Sequence, residues 1–220
     1  MSTTATRERP ILFRPELVRK ILGGKKTQTR RPVKPQPDDV KPLGHRGSLV
    51  PYRYAEDIKD MPGVRLQRPI DCPFGQVGDV LWVRETWLEL DREGYRDLRK
   101  PRDAMIDFVT YPVRNGVAYL ADSFDDSDSD RCRRELGYKW SPSIHMPHWA
   151  CRLRLEITDV RVERVQDISH RDALAEGVDY DVSEVRGAPI RRFHSAWNAA
   201  YPGSWDRNDW VWAITFKALA

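Results

Sequence analysis

The chain has 220 residues, 40 % of them hydrophobic, and a formal net charge of +4. That length builds one real core, or one core with a long insertion, and no apolar run approaches the roughly 18 residues of a membrane span. The charge is uneven: the first fifty residues hold twelve Lys or Arg against four Asp or Glu. Such asymmetry predicts an anionic partner near the N-terminal part, with nucleic acid first in line, and a solvated basic face is the alternative. MSTTATRERP lacks the apolar stretch of a secretory leader, and Cys72, Cys132 and Cys151 form no CxxC pair. Reduced thiols in a cytoplasm are therefore expected. HMPH at 145 to 148 has a proline between its histidines and no cysteine neighbour, so no metal is expected.

In chain order, residues 1 to 9 read as a flexible N-terminus and 10 to 220 as a single domain. RPELVRKILGG predicts a short helix. Pro15 suits its first turn, Leu17, Val18, Ile21 and Leu22 recur at helical spacing, and Gly23 or Gly24 ends it. In GGKKTQTRR, residues 23 to 31, Lys25 and Lys26 then fall near the negative end of the helix dipole. Residues 32 to 69 read as loop-rich, with repeated prolines and glycines.

QVGDVLWVRETW, 76 to 87, predicts a strand with Leu81, Val83, Glu85 and Trp87 on one face and Trp82, Arg84 and Thr86 on the other. Glu85 on an apolar face requires a partner. Residues 91 to 140 read as an insertion, with a strand around GVAYLA and an acidic surface loop at DSFDDSDSD. From 151 a strand alternates through Cys151, Leu153, Leu155 and Ile157. Its apolar phase then slips to Val160 and Val162, which predicts a bulge near Thr158-Asp159. Ser169 and Asp172 have capping-box spacing for a second helix that Gly177 ends, with Ile168 placed to staple against Ala173. A third helix, RRFHSAWNAAY, presents Phe193, Ala196, Trp197 and Ala200 on one side. WVWAITF is a last strand with Trp210, Trp212, Ile214 and Phe216 on one face. With no βαβ rhythm, the order predicts an α+β domain: a small mixed β-barrel decorated by helices.

PILFRPELVRKILGGKKTQTRR, GDVLWVRETW, SPSIHMPHWACRLRLEITDVRVERVQDIS and DALAEGV together resemble the ASCH family, and more narrowly its phage- and prophage-associated bacterial members. The resemblance runs from residue 10 to 217, apart from 32 to 69 and the insertion. It implies a PUA-like barrel with flanking helices, an RNA-binding fold, and a cleft lined by a GxKxxxR-type segment, here Gly24, Lys26 and Arg30. Small bacterial members include amidohydrolases that deacetylate N4-acetylcytidine with a lysine, a threonine three residues later and a distant glutamate. Matching motif to motif gives Lys26, Thr29 and Glu176. Other members are reported as ribonucleases. The 91 to 140 insertion and the long proline-rich segment depart from the small hydrolases.

Each residue carries a plainer reading beside the functional one. Lys26 suits direct chemistry, ligand contact or solvation, and acting as a base requires its pKa to fall through burial or neighbouring cations. Thr29 is a nucleophile only with a base in reach and is otherwise an ordinary strand former. Because Lys26 and Thr29 are an odd number of residues apart, a strict strand points them to opposite faces, so joint action requires a bend. Glu176 lies where a helix dipole disfavours a carboxylate, which suits a proton shuttle, an ion pair or a solvated helix end. Lys25, Arg30 and Arg31 suit phosphate, and Glu85 suits one of these arginines or Lys26. Trp82, Trp87 and Trp149 suit base stacking or core, Arg84 joins them on the strand, and His145 and His148 suit the same cleft. The expectation is RNA or modified-nucleoside binding through a basic cleft. N4-acetylcytidine amidohydrolase and metal-independent ribonuclease activity stand as alternatives, without a cofactor.

Overall fold

The computed structural model describes residues 6–43, 48–57, 65–89, 117–122, 139–180 and 187–219. In chain order its elements are β1 (Glu8–Leu12), α1 (Pro15–Leu22), β2 (Gln28–Pro32), β3 (Asp39–Leu43), β4 (Ser48–Asp57), β5 (Arg65–Pro69), β6 (Val80–Arg84), β7 (Trp87–Glu89), β8 (Val117–Tyr119), β9 (Arg154–Arg164), α2 (His170–Ala175), α3 (Ala188–Ala200) and β10 (Trp210–Leu219). Short 3-10 turns fill the gaps around 120, 143–150 and 165. No helix among the described residues is long and apolar enough to cross a membrane.

The central sheet has five strands in the order β1-β6-β9-β10-β2. β1 runs parallel to β6, and the other neighbours are antiparallel. This sheet is open, which corrects the expected PUA-like barrel. Closure requires a ladder between β1 and β2, and β1 pairs with β6 while β2 pairs with β10. The hydrogen bond that crosses the gap comes from a side chain: Arg31 Nη2 donates to the Leu12 carbonyl at 2.9 Å. The class remains α+β, with three separate sheets and helices.

Both faces of β10 are covered. Ile214 and Phe216 face a core with Ile11, Val18, Leu81, Leu155 and Ile157, and α1 closes that side with Val18 and Ile21. Val211 faces a second cluster with Ile168 just before α2, Ala173 of α2, and Phe193 and Trp197 of α3. The expected alternation along WVWAITF is therefore lost, because Val211 and Ala213 are as buried as Ile214. Double coverage turns a half-buried strand into a continuous apolar one.

Local signals explain the element ends. Gly24 takes φ +70 after α1, a conformation that glycine adopts cheaply. The Ser169 hydroxyl accepts the Asp172 backbone N–H at 3.1 Å and caps α2, and Ile168 and Ala173 are buried in one cluster. On β9, Ile157 pairs with Phe216 and Asp159 with Thr215, so Thr158 is the extra residue of a bulge. That bulge is where the apolar phase slips.

One region differs from expectation and another agrees with it where it is described. Within the segment expected as loop, the described residues form three antiparallel strands, β3-β4-β5. Pro42, Pro51 and Pro69 lie within its strands and hide its period from a sequence reading. Of the 91 to 140 insertion, Val117–Asp122 and the last two residues are described. β8 pairs with β7, in agreement with the strand expected at GVAYLA. Most of the acidic run lies outside the described residues, as do positions 1 to 5 of the N-terminus.

Asp79 fixes the start of the β1–β6 pair. Its carboxylate accepts the backbone N–H of Arg7 at 3.0 Å and of Gln76 at 3.1 Å. Asp79→Ala is expected to lower the unfolding free energy by about 1.5–3 kcal/mol, the scale of hydrogen bonds to a charged group. Urea melts measure this, and a change under about 0.5 kcal/mol would contradict the assignment.

Candidate functional site

The basic segment is held as a bent turn before it becomes a strand. The N–H groups of Lys25 and Lys26 both donate to the Lys20 carbonyl, at 2.8 and 3.1 Å, and so finish α1. Thr27 N–H then donates to the Ala175 carbonyl at 2.9 Å, and the Thr27 carbonyl accepts Phe216 N–H at 2.9 Å. These bonds clamp the turn between the end of α2 and β10. β2 begins at Gln28, so Lys26 lies outside it and escapes the alternation that separates odd-spaced residues.

Lys26 is nearly fully buried, and each of its three ammonium protons has an acceptor. Nζ donates to the Gln28 carbonyl at 2.7 Å, the Glu176 carbonyl at 2.9 Å and Glu176 Oε2 at 2.8 Å. Burial pushes its pKa below the usual lysine range, and the Glu176 carboxylate opposes that shift. Gly177 permits the approach. It has φ +84, and a Cβ there would lie 3.0 Å from the Lys26 Cβ.

Arg30 is also buried, inside a cage of acceptors. Nη1 donates to Gln28 Oε1 at 2.7 Å and to Glu176 Oε1 at 3.2 Å. Nε donates to Glu163 Oε1 at 2.8 Å, Nη2 contacts the same oxygen, and Asp172 Oδ2 lies 3.4 Å away. Burial would raise the Asp172 pKa, but the Ser169 hydroxyl, Arg30 and Arg161 outweigh it and hold the carboxyl below its usual range. Arg30 is thus a clamp on three carboxylates.

Lys26, Thr29, Arg30, Arg31 and Glu176 line one cavity of about 610 Å³, together with the end of β1, one side of α1, residues 177–179 and the Phe193–Tyr201 side of α3. The three residues matched by resemblance therefore converge, although they come from two distant parts of the chain. The Thr29 hydroxyl accepts a hydrogen bond from Arg31 Nη1 at 3.0 Å, which leaves its proton free to be donated. Phe13, Phe193, Trp197 and Tyr201 supply apolar walls. Sequence reading missed Glu163, Asp172, Arg14 and these aromatics as members of the site. Only the fold brings β9, α1 and α3 to the basic turn.

The remaining candidates lie elsewhere. Gly24 and Lys25 are exposed and are not among the lining residues. Glu85 is buried and pairs with Arg152, through Oε1 at 2.9 Å and Oε2 at 2.8 Å, not with Lys26, Arg30 or Arg31. Arg152 also binds Asp122 and lies over the Tyr119 ring at 3.9 Å, so this group stitches β6 and the segment before β9 to the described part of the insertion. Trp82 meets His148 edge-on, Arg84 lies over Trp82, and Trp87 is buried against Trp149. His148 pairs with Glu8, and His145 is exposed. This cluster belongs to β6, β7 and the 143–150 turns, and none of it lines the cavity.

Among the described residues, no group of three or more His, Cys, Asp or Glu is placed to hold a metal ion. No family model, curated protein or solved structure matches the chain.

Two outcomes follow from the buried charges. Glu176→Ala strands Lys26 and Arg30 without their shared carboxylate and is expected to cost about 3–5 kcal/mol in a urea melt, and a cost below about 1 kcal/mol would contradict the pairing. The pH effect of Lys26 has a defined sign. With its folded pKa below the ordinary lysine value of 10.5, the native state binds fewer protons than the unfolded chain between the two values. Stability gained from this group therefore rises with pH through that window. The wild-type minus Lys26→Met difference in unfolding free energy should climb on the alkaline side, and a flat difference would contradict the shift.

Proposed function

We propose that the cavity takes a nucleoside-sized ligand and hydrolyses an amide on it, and that the substrate class is N4-acylated cytidine. The observation that carries this reading is the convergence of Lys26, Thr29 and Glu176 on one cavity. Its volume falls within the range of small-molecule pockets. The resemblance of GGKKTQTRR and DALAEGV to ASCH amidohydrolases names the same three residues, and aromatic walls suit a pyrimidine ring.

The hydrogen bonds at Lys26 support one order of proton movements. With all three Nζ protons engaged, Lys26 cannot take a proton until it gives one up. Glu176 Oε2, 2.8 Å away, receives that proton, and burial of Lys26 favours the transfer. Neutral Lys26 then accepts the Thr29 hydroxyl proton as Oγ1 bonds to the acyl carbon. The C–N4 bond breaks, and Glu176 delivers its proton to the leaving N4. Acyl-Thr29, cytidine, ammonium Lys26 and carboxylate Glu176 result. Repetition of the proton transfer lets Lys26 deprotonate a water that attacks the ester, while Glu176 reprotonates Thr29 and the carboxylic acid leaves. Arg31, donating to Thr29 Oγ1, stabilises the negative charge that builds on this side.

Incubation with N4-acetylcytidine should release cytidine and acetate. Thr29→Ala and Glu176→Gln, checked for folding by circular dichroism, should each reduce kcat by about 100-fold or more. Absence of turnover by folded wild-type protein overturns the proposal. Wild-type rates in Thr29→Ala would remove the threonine as nucleophile.

A further inference from the structure

The cavity carries more positive charge than its own acids balance. Six cationic side chains line it against two carboxylates, Glu176 and Asp179. Lys26 is matched by Glu176 and Lys20 by Asp179 at 2.8 Å, Arg30 is matched by Glu163 and Asp172 behind the wall, and Arg192 is engaged beside Asp179, donating to its carbonyl at 2.8 Å. Arg31 differs. Its hydrogen bonds go to uncharged oxygens: the Thr29 hydroxyl, the Arg30 carbonyl at 3.1 Å and the Leu12 carbonyl at 2.9 Å. Its guanidinium carbon lies 5.2 Å from the centre of the Phe13 ring. Arg14 is exposed and has no ion-pair partner among the described residues. Because Arg31 is bonded to the Leu12 carbonyl, two residues before Arg14, both uncompensated charges belong to one side of the cavity.

We infer that the ligand is a nucleotide rather than a neutral nucleoside, with a phosphate monoester held between Arg31 and Arg14. The inference rests on the nucleoside reading above and deepens it. A phosphate monoester brings close to two negative charges at neutral pH, and guanidinium groups bind it with charge-assisted, bidentate geometry. A neutral nucleoside leaves both arginines without a counter-charge. Arg31 would then face the phosphate on one side and Thr29 on the other, which fixes the distance between the anionic end of the ligand and the bond that is cut.

Calorimetric titration of the wild-type protein with cytidine monophosphate and with cytidine tests this without turnover. The monophosphate should bind at least about 10-fold more tightly at low salt, and the advantage should shrink as salt rises. Arg14→Ala should weaken the monophosphate several-fold more than cytidine. Equal affinities, or no binding of either compound, overturn the inference. Tighter binding of a cytidine dinucleotide than of the monophosphate overturns the mononucleotide assignment in favour of a phosphodiester strand. Tight monophosphate binding with no hydrolysis of N4-acetylcytidine supports the inference while the hydrolase reading fails.

Discussion

Glu176 sits between two buried cations, Lys26 on one oxygen and Arg30 on the other. Both cations are buried away from water, so each relies on protein acceptors for its charge and shares this carboxylate with the other. Their backbones lie in different places: the turn after α1, the edge strand β2 and the end of α2. The network therefore fixes how α2 meets the sheet. The same carboxylate faces the cavity. In the proposed reaction structural and chemical demands fall on one residue, and its two oxygens divide them, with Oε1 toward the Arg30 clamp and Oε2 toward Lys26.

The open sheet and the cavity are one arrangement seen from two sides. Where a barrel would have β1 laddered to β2, this chain has α1, the Arg31 side chain and space. The carbonyl of Leu12, in the last β1–β6 pair, is reached by Arg31 instead of by a strand. α3 supplies the far wall with Phe193 and Trp197, which also pack the second core cluster. Any ligand in the cavity thus touches residues that hold the sheet to its helices.

Much of the local structure was legible because short-range rules decide it. The Ser169 cap, the Gly24 turn and the Thr158 bulge all follow from neighbours within a few residues. That Lys26, Thr29 and Glu176 line one cavity agrees with the cleft the resemblance implied, and the bend that takes Lys26 out of the β2 alternation was legible from the glycines before it. The meander at 39 to 69 was not, since its prolines and charges erase the two-residue period. Closure of the sheet was not, because strand order depends on pairings across the whole chain. The partner of Glu85 was not, since Arg152 alternates with apolar residues like any solvent-facing arginine and only the fold carries it inward. Arg30 looked like a free phosphate ligand because its cage comes from β9 and α2, far away in sequence.

β2 is an edge strand, and its sequence has a further consequence. Thr27 and Val33 turn their peptide groups toward β10, as the Phe216-to-Thr27 and Val33-to-Trp210 bonds show. The peptides of Gln28, Arg30 and Pro32 between them face away from the sheet. The Gln28 carbonyl is taken by Lys26, the Arg30 carbonyl by Arg31, and Pro32 has no N–H to offer. An incoming strand from another molecule meets an edge whose acceptors are already occupied by cations. The basic turn thus shapes the cavity wall and fills the outward acceptors of the edge strand at once, so a change that discards it would also leave those acceptors open to another strand.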